Sequence, residues 1–125
     1  MKEQISKVAQ FHELFNQSNS TAPTLQPEEI CYLRHSLMAE ENDEYIEACA
    51  EGNIVGIADA LGDMMYILCG TILKHGMQHV IENVFDEIHR SNLSKLDPDG
   101  NPVIRDDGKI IKGPDYQPPD IKKFL

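Results

Sequence analysis

At 125 residues with a hydrophobic share of 41%, the chain has the size and composition of one globular domain, whose modest core would gain from oligomerisation. Its 21 acids against 11 bases give a formal charge of −10, which repels polyanions and excludes a nucleic-acid-binding module. No apolar run approaches the length of a membrane span, and the opening Met-Lys-Glu-Gln is no signal peptide, so a cytoplasmic protein with no membrane partner is expected.

Ile5, Val8, Phe11, Leu14 and Phe15 recur at helical spacing and predict an amphipathic helix over about residues 2–17. Residues 16–26, rich in Ser, Thr, Asn and Pro, read as a loop. Pro27-Glu28-Glu29 opens a second helix that runs to about Glu51 and stops at Gly52. A third helix covers about residues 53–75, with Asn53 as N-cap and Gly76 as stop. A fourth covers about residues 77–96, with Val80, Ile81, Val84, Phe85, Ile88 and Leu93 as its stripe. The short connections make these helices antiparallel neighbours. Beyond Leu96, Val103-Ile104-Arg105 and Lys109-Ile110-Ile111-Lys112 flank Asp106-Asp107-Gly108 as a small β-hairpin, and Gly113-Pro114 and Pro118-Pro119 mark an extended tail. The expected fold is all-α: a four- to five-helix antiparallel bundle in residues 1–96, with a C-terminal hairpin and tail in residues 97–125 packed on it. Cys31, Cys49 and Cys69 are odd in number and widely spaced, and read as reduced core residues.

The acids carry the functional information. On a helical wheel of the second helix, Ile30, Leu33, Leu37 and Ala48 share one side. Glu41 and Glu44 fall inside that apolar arc and Glu40 at its edge, whereas Asp43 and Glu29 lie opposite. The third helix is apolar nearly all round from Ile54 to Leu73, and its only charges there, Asp59 and Asp63, stand four apart on one face. Gly56, Ala60 and Gly70 on or beside that face would leave space next to them. Burying an unpaired carboxylate is costly, and only Arg34 and Lys74 stand near. One such acid would pair with Arg or Lys; Glu41, Glu44 and Asp63 together point to a divalent cation, with Asp59 a less certain member. Oxygen donors without Cys or His suit Mg²⁺, with Mn²⁺ as a substitute, and Mg²⁺ recruits phosphates. A di-iron bundle needs Glu-x-x-His on two helices, and Asp86-Glu87-Ile88-His89 is a single imperfect match.

Glu40-Glu41-Asn42-Asp43-Glu44 followed by Asp63 resembles the MazG-like all-α NTP pyrophosphohydrolase superfamily, which includes phosphoribosyl-ATP pyrophosphohydrolase and the dimeric dUTPases. Its hallmark is Glu-Glu-x-x-Glu, then Glu-x-x-Asp on the next helix. Here the second half matches only at Asp63, because Ala60 holds the glutamate position and Asp59 stands one residue earlier. Phe11-His12-Glu13-Leu14-Phe15, Arg34, His89-Arg90-Ser91-Asn92-Leu93-Ser94-Lys95, and Asp107-Gly108-Lys109 through Lys112-Gly113-Pro114 to Pro118-Pro119 resemble the phosphoribosyl-ATP pyrophosphohydrolase-like branch.

That resemblance implies a bundle that forms a homodimer or a dimer-of-dimers tetramer. It also implies Mg²⁺-dependent hydrolysis of a nucleoside triphosphate between the α and β phosphates, as house-cleaning of nucleotides such as dUTP or dCTP. Glu41, Glu44 and Asp63 would ligate the first ion, and Glu40, with Asp59, would hold a second or activate the attacking water. Arg90, Asn92, Lys95, Lys109 and Lys112 would meet the substrate, although each cation taken singly reads better as surface charge and Asn92 nearly as well as a core amide. Tyr116 would stack on a base or pack the tail, and His89 reads as structural or exposed. Two alternatives stand: phosphoribosyl-ATP pyrophosphohydrolase of histidine biosynthesis, and a non-catalytic helical interaction module that neither binds Mg²⁺ nor turns over a nucleotide.

Overall fold

Four α-helices carry the chain in the computed structural model, which describes residues 1–125: α1 (Lys2–Leu14), α2 (Glu28–Ala50), α3 (Ile54–Lys74) and α4 (Ile81–Leu93). They fall into two compact units, Met1–His79 and Val80–Leu125. The fold is all-α, as expected, and contains no sheet.

In the first unit α2 and α3 form an antiparallel hairpin. Gly52 turns the chain at φ +66°, a region closed to most side chains, and the Asn53 Oδ1 accepts a bond from the Gly56 N–H at 3.0 Å. α1 packs on α3, and Ile5, Val8, Ala48, Cys69, Ile72 and Leu73 are buried among them. The three helices draw together at Gly70, where an added Cβ would lie 2.6 Å from Arg34 Nη2 and 3.1 Å from His12 Nε2. Arg34 spans the gap, donating from Nε to Thr71 Oγ1 at 3.0 Å and from Nη2 to the Ile67 carbonyl at 2.7 Å.

The loop between α1 and α2 closes the C-terminal end of α3, whose last carbonyls lack partners within the helix. Ser20 N donates to Leu73 O, Thr24 N to His75 O, and Gln26 Nε2 to Lys74 O at 2.6 Å. Gly76, at φ +69°, lies against Ala22 so closely that an added Cβ would sit 2.0 Å from its carbonyl oxygen. α1 stops at Leu14, short of residue 17, because Asn16 turns left-handed at φ 55° and Gln17 N folds back onto His12 O at 2.7 Å.

The second unit departs further from expectation. α4 begins at Ile81, after a turn over residues 78–80. Its buried residues are Glu87 and Ser91; the stripe residues Phe85, Ile88 and Leu93 stay exposed in the single chain. The expected hairpin reduces to one antiparallel bridge, Ile104 with Ile110, closed by Arg105 N to Lys109 O and Ile111 N to Val103 O. Pro102 on one side and Pro114 on the other lack the N–H groups that would extend a ladder.

α3 is long and apolar enough, by length and composition, to cross a membrane, contrary to the sequence reading. Asp59 and Asp63 within it weigh against insertion, since each carboxylate near a helix centre costs roughly 3 kcal/mol.

Candidate active site

Glu41 on α2 and Asp63 on α3 stand equally far from Gly52 along the chain, so the antiparallel hairpin brings them to one level. Glu40 and Glu44 accompany Glu41, and Asp59 lies one turn from Asp63. The electrostatics identify the focus. The Glu41 carboxyl is pushed above the ordinary glutamate value, first by burial and then by the negative charges of Glu44, Asp63, Glu40 and Asp59. Its Oε2 is buried with no hydrogen-bond partner. No Lys, Arg or His comes within ion-pairing distance of any of the five acids.

This geometry corrects two expectations. The acids are not enclosed in the core of the single chain: Glu41 is half-buried, and Glu40, Glu44, Asp59 and Asp63 are exposed. The reason is that α3, apolar as it is, has little of its surface covered, with Ile54 and Val55 74% and 75% exposed. The small residues do not leave a void beside the carboxylates either. Gly70 admits the Arg34 guanidinium, and Ala60 is buried at a helix contact. Arg34 itself is turned to α3 and neutralises none of the acids.

As they stand, no three of these carboxylates converge into a coordination shell. The donor chemistry nevertheless fits a hard divalent cation: carboxylate oxygens only, one orphaned and buried, the others on exposed side chains free to rotate toward it.

The remaining expected residues lie in the second unit. Arg90 is committed to Glu87, donating from Nε at 2.9 Å and Nη2 at 2.7 Å, with Nη1 on Gln117 Oε1 at 3.1 Å. Glu87 also accepts from Asp120 N at 2.8 Å and pairs with Lys123 Nζ at 3.3 Å. Its carboxyl is held far below the ordinary range, chiefly by the Arg90 bonds and then by the Asp120 amide. Sequence reading missed this node; the Glu87–Arg90 spacing of three was visible, but its tail partners are distant in the chain. Asn92 is exposed, not turned inward, because the buried side of α4 is the Glu87–Ser91 face. Lys95, Lys109 and Lys112 line one cavity with Ile110 and Ile111. Tyr116 packs within the tail, with Lys112 Nζ 4.7 Å above its ring, and His89 is exposed. The cysteines are all free, but only Cys69 is buried; Cys49 is half-buried and Cys31 exposed.

Residues 8–92 match the family model of phosphoribosyl-ATP pyrophosphohydrolase. The fold is similar to the crystal structure of a candidate NTP pyrophosphohydrolase from Exiguobacterium sp. 255-15, with a TM-score of 0.51 and 25% identity over 95% of this chain and 90% of that one. No curated protein matches in sequence.

Proposed function

The chain belongs to the phosphoribosyl-ATP pyrophosphohydrolase family, and from that premise we propose that it is a Mg²⁺-dependent hydrolase. Its substrate is a nucleoside triphosphate, cut by water between the α and β phosphates to give the monophosphate and pyrophosphate. The observation that carries this reading is Glu41, a crowded carboxylate with an orphaned buried oxygen, four acidic neighbours and no cation from the chain itself. Glu41, Glu44 and Asp63 would hold the ion, with Mn²⁺ as a substitute. A divalent cation bound there supplies neutralisation of phosphate charge and orients the attacking water. Glu40, with Asp59, completes the site by holding a second ion or accepting the proton of that water. Ala60 brings no carboxylate where the family hallmark has glutamate, and Asp59 is the nearest acid to that position along α3.

The uncovered apolar surface supports a homodimer or a dimer of dimers. Leu33 and Ile46 on α2 and Ile54, Val55, Leu61 and Leu68 on α3 are all exposed, more than a monomer leaves uncovered without a use. A second copy over this face would shield the carboxylates from water. The proposed setting is cytoplasmic house-cleaning of deoxynucleotides such as dUTP or dCTP. The family match itself favours a second reading, in which the substrate is phosphoribosyl-ATP. A pyrophosphate-release screen over ribo- and deoxynucleoside triphosphates and phosphoribosyl-ATP, with Mg²⁺ or Mn²⁺, separates the two. Turnover of none of them would leave only the non-catalytic alternative.

A further inference from the structure

α2 carries a guanidinium that no acid answers. Arg34 is half-buried on the side of α2 turned to α3, and burial pulls its pKa below the ordinary arginine value. It forms no ion pair, in a chain with almost twice as many acids as bases. Its bonds go instead to α3, at points one turn apart: Nε to Thr71 Oγ1 and Nη2 to the Ile67 carbonyl. The Thr71 hydroxyl donates to that same carbonyl at 2.8 Å, which closes a three-cornered network. Gly70 lies between the two anchor points, and any side chain there would meet the guanidinium. An apolar contact between helices can slide, because burial is non-directional. A planar fork held at two points cannot.

The place of this fork along the hairpin matters to the acids. Glu41 follows Arg34 by seven residues, two turns on the same face of α2, and Asp63 precedes Ile67 by four on α3. The turn at Gly52, the hairpin's covalent tie, is eleven residues from each acid, about 16 Å along the helices. Over that lever a splay of about 10° would part the helices by roughly 3 Å at the acids. A bound cation tolerates about 0.2 Å in its ligand distances. The carboxylates cannot hold the gap themselves, since Glu41 has only like charges around it.

We infer that Arg34 is a positioning residue for the cation site: its two-point brace sets the spacing and register of α2 against α3, and so aims Glu41 and Asp63 at one ion. This rests on the cation site proposed above. Arg34 acts through the helices alone, because its donors face Ile67 and Thr71 and reach none of the five acids. That separates it from an electrostatic role. A positive charge about 10 Å from Glu41 along α2 opposes the binding of a cation, so its removal would by charge alone tighten Mg²⁺ binding. Removal of a brace weakens it.

Mg²⁺ titrated by calorimetry into the full-length native protein and into Arg34→Met distinguishes the two by sign. Methionine keeps an unbranched stem and removes the fork. The proteins are compared at a temperature where circular dichroism shows full helix content in both, so lost stability alone leaves the affinity unchanged. About tenfold weaker binding is expected, the usual cost of losing a group that orients a metal ligand. The loss should be smaller for Ca²⁺, whose coordination is flexible. Arg34→Lys keeps the charge but not the fork, and should bind nearly as weakly as Arg34→Met. Should Arg34→Met fail to fold, Thr71→Val decides: it removes one corner of the network, so weakened Mg²⁺ binding supports the brace and native binding overturns it.

Equal or tighter Mg²⁺ binding by folded Arg34→Met, native affinity in Arg34→Lys, or equal losses for Mg²⁺ and Ca²⁺ overturns the inference and leaves the cation site standing. No saturable Mg²⁺ binding by the native protein removes the cation site itself, and the inference with it.

Discussion

Glu41 in the first unit and Glu87 in the second are glutamates on helices, each drawn partly out of water, and their surroundings are opposite. Around Glu87 the chain supplies Arg90, Lys123 and the Asp120 amide, and the carboxyl is held far below its ordinary range. Around Glu41 it supplies four further carboxylates and leaves one oxygen without a partner, and the carboxyl is pushed up. A satisfied carboxylate is a structural tie: here it fastens the tail to α4. An unsatisfied one in a group of its own kind is relieved by taking up a proton or, as proposed for Glu41, by a cation from outside the chain. The cations differ in the same way, since Arg90 is paired with Glu87 while Lys95 and Lys109 are in no ion pair.

The sharpest way to break the contrast is to neutralise each glutamate in turn. Glu41→Gln or Asp63→Asn should lower Mg²⁺-dependent turnover by more than roughly a hundredfold, since losing even an outer partner of a metal ligand costs 10- to 100-fold. In EDTA, Glu41→Gln should be no less heat-stable than the native protein, because it removes a charge crowded by four like charges. Glu87→Gln should do the reverse, loosening the tail with a far smaller loss in kcat, read by amide exchange at Asp120.

Gly76→Ala should cost about 2–5 kcal/mol in urea unfolding, combining a left-handed backbone strain of roughly 1–2 with overpacking of roughly 1–3 against the Ala22 backbone. This lesion to the first unit lies away from the acids, so the residual folded protein should still need Mg²⁺. Gly113→Ala should cost about 1–3 kcal/mol by the same overpacking, here against the Lys95 and Leu96 carbonyls.

The smallest effect is in acid. Because the folded Glu87 carboxyl is depressed, its stabilisation is fully present above the ordinary glutamate range and is lost as pH falls below about 4.3 toward its folded value. Protection of the Asp120 amide should decline over that window, and in Glu87→Gln it should be low and flat throughout.

Much of the first unit was legible because its signals are local. Gly52 and Asn53 mark the hairpin, and equal spacing from Gly52 puts Glu41 opposite Asp63 without knowledge of any side chain. What escaped depended on partners far off in the chain or absent from it. Gly70 and Ala60 read as room beside the acids, but they are points where helices touch. The α4 stripe of Phe85, Ile88 and Leu93 promised an inward face, but the tail covers Glu87 and Ser91 instead. Periodicity shows that a face is apolar and does not show what covers it. For the same reason the acids on α2 and α3 were expected inside, while a single chain leaves most of them in water.

Titration of Mg²⁺ into the native protein and into Glu41→Gln, by calorimetry without nucleotide, tests most directly whether the orphaned carboxylates are a cation site. Saturable binding to the native protein, weakened at least about tenfold by the substitution, is the predicted result. Absence of saturable binding to the native protein, or equal binding to both, would contradict it.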